Sequence, residues 1–308
     1  MSNNITPTDP AIETRNGVIY AVSAYVMWGF APIYFKLLHS VAASEILMHR
    51  IVWSSIILFI IVILSNKWRL VQALIAQPKM LLRLTMSALF LGANWFMFIW
   101  AINSDHLLDA SLGYYINPLF SVALGMIFLA EKLRKWQWFA VALAIIGVVI
   151  QFIALGSLPI ISFALAGSFG IYGLLRKQMH LDSFVGLLVE SMLMLPIALI
   201  YWWFFVDSST ANMLHNTSNL NITLMMAGVV TTAPLLCFTS AAKRLSLSAL
   251  GFFQYIGPSL MFILAVVFFH EPLQPAKIVT FIFIWLALLI FSVDSMRARR
   301  KKLALANA

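Results

Sequence analysis

Polar and charged clusters divide the chain into ten apolar blocks, at 17–38, 44–64, 81–102, 107–130, 136–155, 159–176, 183–205, 220–242, 248–269 and 274–294. A hydrocarbon core about 30 Å thick takes roughly 20 apolar residues per spanning helix, the length at which these blocks run. They are apolar on every face and lack the two-residue alternation of lipid-facing and lumen-facing positions that a membrane strand needs. Backbone N–H and C=O groups inside lipid must be satisfied within the segment, so the pattern predicts helices. The expected fold class is an all-α membrane protein with ten transmembrane helices. The first block follows a polar stretch with acidic residues and has nine successors, so it reads as a retained span and not a cleaved leader.

The blocks repeat. "NPLFSVALGMIFLAEKL" at 117–133 returns as "GPSLMFILAVVFFHEPL" at 257–273, so that Pro258 and Glu271 stand 140 residues after Pro118 and Glu131. "WG" at 28–29 likewise faces "FG" at 169–170. Each copy holds five blocks, and an odd number of crossings makes the second copy enter the membrane from the opposite side, giving two inverted five-helix repeats. The expected organisation is a tail at 1–16, repeats at 17–155 and 159–294, and a basic tail at 295–308. Pro118 and Pro258 fall within the fourth and ninth blocks, where a missing N–H and a ring clash free the carbonyls four residues earlier, those of Tyr114 and Gln254, and kink the helix.

Composition and charge narrow the class. Hydrophobic residues make up 62% of the chain and charged residues 10%, against roughly 45–50% and about 25% in a soluble domain. Of the 20 Lys and Arg, all but Lys36, Arg50 and Lys277 fall on the side that holds both termini. The positive-inside rule therefore places both termini in the cytoplasm. The same distribution accounts for the formal charge of +9, so nucleic acid is not an expected partner, and the lipid bilayer is. The lone Cys237 rules out a disulfide or a Cys-based metal site within one chain. No cofactor and no metal are expected.

Taken together, Pro–twelve residues–Glu in two copies and the stretches "MWGFAPIYFKL", "EILMHRIVWS", "LGYYINPL", "GSLPII" and "LGFFQYIGPSLMF" make the chain resemble the RarD-like permeases of the EamA family, in the drug/metabolite transporter superfamily. The wider EamA pattern often has Gly before the glutamate, where Ala130 and His270 stand here. The resemblance implies a bacterial inner-membrane carrier that exports small metabolites or drugs by alternating access, with the chloramphenicol-related phenotype of that branch. It also implies a cavity surrounded by the first, third, fourth, sixth, eighth and ninth helices. Those helices supply the substrate-binding candidates Trp28, Tyr34, Asn94, Trp95, Trp100, Tyr114, Tyr115, Asn117, Tyr172, Gln254 and Tyr255. Rings with one polar handle suit an amphipathic small-molecule substrate, although Trp and Tyr also form interfacial belts, to which Trp68, Trp136, Trp138, Trp202 and Trp203 are assigned. Buried amides also tie helices together.

Ionisable groups inside the blocks are few. His49 and Arg50 lie in the second block and Glu190 in the seventh. A charge near the bilayer centre costs about 2.5–3.5 kcal/mol on the insertion scale, so such groups face the bundle and pair. Glu190, with its repeat mate His49, is the candidate for proton coupling; the alternatives are an interhelical hydrogen bond and, for Arg50, snorkelling to the interface. Lys36 is read either as a cation at the cavity mouth or as a solvated helix end. Glu131 and Glu271 read as helix-end residues that bond loop donors or gate closure. In "ALAGSFGIYG" the glycines lack the phosphate-loop spacing; small residues there let helices approach closely. An intramembrane enzyme would need a nucleophile with a base, HExxH or paired aspartates, none of which is present. A receptor or scaffold would carry a folded soluble domain, for which the longest connection, around 206–219, is too short.

Overall fold

The structure, a computed structural model, describes residues 10–104, 107–156, 160–206, 208, 210–268, 270 and 275–306. Among them lie helices α1 (Pro10–Leu37), α2 (Ala43–Leu64), α3 (Trp68–Ile75), α4 (Pro78–Asn103), α5 (Leu107–Leu129), α6 (Lys135–Leu155), α7 (Ile160–Met179), α8 (Ser183–Phe205), α9 (Ser218–Arg244), α10 (Leu247–Gln254), α11 (Ile256–Val267) and α12 (Pro275–Ala306), and no strand. Among the described residues ten segments are long and apolar enough to cross a membrane, the ninth made of α10 and α11 together. At 1.5 Å per residue the 22 residues of α2 rise about 33 Å, enough for the hydrocarbon core.

The end helices run beyond the apolar blocks that announce them. Residues 10–16 are already helical, and Glu13 there pairs with Arg244 at the end of α9 (2.8 Å). At the other terminus α12 continues through the basic stretch to Ala306. The short α3 is an addition: too brief to span, it buries Val71 and Leu74, three apart, and exposes Leu70 and Ile75.

The two five-span halves interleave. Helix α1 packs on α9 and α11, and its counterpart α7 packs on α4 and α5; α2 packs on α9, and α8 on α4. The pairs α2–α8, α5–α10 and α6–α12 map onto themselves when the halves are exchanged. This is the pairing that a pseudo-twofold axis in the membrane plane requires. Two glycines at corresponding places allow it. A Cβ on Gly29 of α1 would lie 2.7 Å from Leu260 of α11, and one on Gly170 of α7 would lie 3.0 Å from Leu124 of α5. The small-residue face of "ALAGSFGIYG" thus meets the other half, with Ala166 buried against Leu112 and Ile116.

The repeated prolines behave differently. Pro118 sits inside a continuous α5, whereas Pro258 accompanies a break at Tyr255 between α10 and α11. The two elements cross there: a Cβ on Gly251 would touch the Pro118 carbonyl at 2.8 Å, and the Tyr255 hydroxyl donates to the Tyr115 carbonyl (3.2 Å). A side chain from one half thereby bonds the backbone of the other, one residue past the Tyr114 carbonyl that Pro118 leaves without its helical donor.

Candidate functional site

A cavity of about 730 Å³ lies between the halves, walled by α1, α2, α4, α5, α7, α9, α10 and α11. It reaches the end of the bundle that carries the α1–α2 connection, where Lys36 and Ala43 border it. From Lys36 to Tyr25, at its floor, α1 rises about 16 Å, which brings the floor close to mid-membrane.

Of the sequence candidates, Trp28, Asn94, Trp95, Tyr114, Asn117 and Gln254 line the wall, as do Pro258 and Arg50. Phe35, Phe98, Phe169 and Thr231, which the sequence did not single out, complete much of it. The second span, absent from the expected set of cavity helices, contributes Ala43, Ile46, Leu47 and Arg50.

The wall is held by ring contacts and amide bonds. Trp28 packs edge-on to Phe169 at 5.8 Å and against Tyr25 at 5.5 Å. Asn94 donates to the Leu165 carbonyl (2.9 Å) and to Ser168 Oγ (3.0 Å), tying α4 to α7 and occupying both of its N–H groups. The Gln254 carbonyl oxygen lies 3.5 Å from Ser121 Oγ, while Asn117 Oδ1 is buried with no protein partner. Arg50 donates from Nε to Thr231 Oγ1 (2.9 Å), and its guanidinium stands 4.6 Å above the Trp95 ring and 5.8 Å from that of Phe35. It lines the cavity and does not snorkel to the interface.

Five candidates are turned elsewhere. Tyr34 donates to the Thr223 carbonyl (2.8 Å), joining α1 to α9. Trp100 projects outward, 46% exposed. Tyr115 packs on Phe281 of α12 (5.5 Å), and Tyr255 is fully buried at the α5 crossing. Tyr172 is fully buried and stacks on Phe238 (5.9 Å). Trp202, assigned to the belt, packs against His49 at 4.6 Å, whereas Trp136, Trp138 and Trp203 are exposed.

His49 and Glu190 do not meet. In the α2–α8 pair His49 lies beside Glu45 (3.9 Å) and accepts at Nδ1 from Trp53 Nε1 (3.2 Å). Glu45 itself receives hydrogen bonds from Thr210 (2.8 Å) and Ser208, which fasten the α8–α9 connection. Glu190 receives Ser87 Oγ (2.6 Å) and pairs with Arg176 (3.5 Å), both side chains being buried. Neither His49 nor Glu190 lines the main cavity.

Beyond the floor, the opposite end is tied shut. Glu131 accepts from the Leu247 N–H (2.6 Å), the Ser248 N–H (2.9 Å) and Ser248 Oγ (2.6 Å), fixing the end of α5 to the start of α10. Helix α5 reaches that contact through Ala130 in the left-handed region at φ +51°, with the Glu131 N–H returning to the Gly125 carbonyl six residues earlier (3.1 Å). His270 has the same left-handed backbone at φ +52°, so both residues at the family's glycine position keep the geometry that favours glycine. Glu271 lies outside the described residues.

Lys177 donates to the Ala242 carbonyl (3.2 Å) and the Leu245 carbonyl, Lys243 to the Leu181 carbonyl (2.6 Å), and Lys67 pairs with Asp182 (2.6 Å). Burial pushes the Asp182 carboxyl up, but the Lys67 hydrogen bond, the Val185 N–H and the charges of Lys67 and Lys243 outweigh it and hold the group below the usual carboxylate range. Basic residues that sequence reasoning counts only for orientation thus also close one end.

The family model for EamA-like transporters matches residues 15–153 and 158–293. An "Uncharacterized transporter" of Vibrio cholerae serotype O1 is 56% identical over 93% of this chain and 95% of its own. "Protein RarD" of Escherichia coli K12 is 51% identical over 94% and 98%. "Chloramphenicol-sensitive protein RarD" of Pseudomonas aeruginosa is 31% identical over 93% and 96%. A solved crystal structure 16% identical in sequence superposes with a TM-score of 0.69, covering 89% of this chain and 96% of that one, which supports the fold alone. A twice-matched family model, near full-length relatives and a cavity between two inverted halves make this chain a member of the EamA-like transporter family, a multi-pass membrane transporter.

Proposed function

We propose that the protein is a secondary transporter of the bacterial inner membrane that exports small amphipathic metabolites or drugs by alternating access, with both termini cytoplasmic. One observation carries the reading: an aromatic cavity reaches one end of the bundle while the other end is fastened by Glu131, Lys67–Asp182 and Lys177. In this reading the near-symmetric halves rock about the Gly29 and Gly170 contacts, and the ties at one end exchange for ties at the other. Its partners are a small-molecule substrate and the bilayer, and it moves the solute without covalent chemistry. A relative named for chloramphenicol sensitivity supports drug-sized solutes among the cargo. Glu190, in its pair with Arg176, is the proposed proton-coupling group.

The test starts from cells that lack or overproduce the protein, with metabolites compared inside and outside under matched conditions. A compound retained without the protein and released with excess identifies the cargo, and its flux is then measured in vesicles containing only the purified protein. Flux inward only, or none of the released compound in vesicles, sinks the export reading. Glu190→Gln should flatten the pH dependence of that flux; an unchanged profile removes Glu190 from coupling.

A further inference from the structure

Arg50 is a cation in an unusual place. It sits seven residues into α2, about 10 Å below the α1–α2 end, on the wall of a cavity otherwise dominated by rings and aliphatic groups. Its Nε–H is engaged by a neutral hydroxyl, and its plane lies over Trp95. A guanidinium carries five N–H donors in a rigid fork. Among the described residues no carboxylate comes within ion-pairing distance of Arg50.

Among the described residues that line the cavity, the charged side chains share one sign. Lys36 at the mouth and Arg50 further in are the charged side chains among the described lining residues. Nearby acids on α2 and α8 are committed elsewhere: Glu45 to Ser208, Thr210 and His49, and Glu190 to Ser87 and Arg176. A positive potential focused by low-dielectric walls concentrates anions. The fork of Arg50, steadied by Thr231 and by the Trp95 face, has the geometry for a planar or tetrahedral oxyanion.

We infer that the cavity takes organic anions, solutes with an apolar body and one carboxylate-, sulfonate- or phosphate-type group that pairs with Arg50. This rests on the transporter reading above and narrows its substrate class. The body lies among Trp28, Phe98 and Phe169, and the buried Asn117 Oδ1 at the floor accepts a donor from it. A purely structural Arg50 would join α2 to Thr231 of α9 and lie over the Trp95 and Phe35 rings, contacts that engage one of its five N–H donors. A guanidinium left without an anion in apolar surroundings is costly, which favours a transient partner.

Three probes that share one ring separate charge from shape: phenylmethanesulfonate, phenylmethanesulfonamide and benzyltrimethylammonium. The full-length protein in lipid nanodiscs is titrated with each, reading the shift in thermal unfolding midpoint, and flux of each is followed in vesicles. The sulfonate alone should give a saturable shift; Arg50→Gln should weaken its apparent affinity at least about tenfold, and Arg50→Lys should recover part of it. An equal response to the sulfonamide or the ammonium, no response to any of the three, or an anion preference that survives in a folded Arg50→Gln protein overturns the inference. Flux of neutral or cationic probes without sulfonate binding leaves a transporter and removes the anion class. Arg50-dependent sulfonate binding with no flux of any probe keeps the anion site and counts against transport.

Discussion

Glu131→Gln isolates the closure at the tied end. In the structure the carboxylate takes three donors, two of them the otherwise orphaned N–H groups of Leu247 and Ser248 in the first turn of α10. A glutamine fills the same space but has one acceptor oxygen, and its NH2 group faces a donor. Hydrogen bonds to charged groups contribute about 1.5–3 kcal/mol each. Losing one outright and weakening a second gives a cost of about 2–4 kcal/mol, or roughly 30- to 700-fold in the equilibrium between tied and released ends. Ser246 keeps its own cap on the Ala249 N–H (3.1 Å), so α10 should stay helical while the contact with α5 loosens. Hydrogen exchange on peptides covering 245–255, in nanodiscs, reads this directly. Exchange at Leu247 and Ser248 should accelerate by at least about tenfold, with little change deeper in α10. Unchanged protection in both Glu131→Gln and Glu131→Ala would mean that helix packing, and not the carboxylate, holds this end closed.

Two further changes have definite signs. Ala130→Gly should raise the thermal midpoint, because Ala130 is exposed and holds φ +51° at a cost of about 1 kcal/mol relative to glycine; His270→Gly should act in the same direction, and a lower midpoint in both would refute the backbone argument. Asp182→Asn should destabilise at neutral pH. Because the folded carboxyl is held low, its contribution is fully present above its unfolded value near 3.9 and is lost as pH falls through the lower folded value. The midpoints of the wild-type protein and of the Asp182→Asn variant should therefore converge in acid as pH falls through that lowered folded value, and a difference that grows there would contradict the assigned cause.

Depth along the membrane was legible in the chain, and facing was not. Every side of a span borders either lipid or protein, both apolar, so hydropathy carries no marker of which side looks inward. Tyr114 and Asn117, three residues apart, share a face and line the cavity, while Tyr115, turned by about 100°, meets Phe281 of α12. Trp95 lies under Arg50, but Trp100, five residues on, points out of the bundle. Arg50 was noticed as an intramembrane charge; its neighbours Thr231 and Phe35 are 181 and 15 positions away and carry no chemical flag of their own.

Ten spans, their apolar lengths, the doubled Pro–Glu pattern and hence the inverted halves can all be read from the chain without coordinates, because each follows from local hydropathy, chain parity and backbone chemistry. Packing settled the rest: which candidates face the cavity and which act as ties, that Glu190 pairs with Arg176 while His49 keeps to Glu45, and that Glu131 caps a helix 116 residues away. Those outcomes depend on the rotation of each helix about its axis and on which carbonyls and N–H groups another helix leaves unpaired, quantities that exist only once the helices are packed.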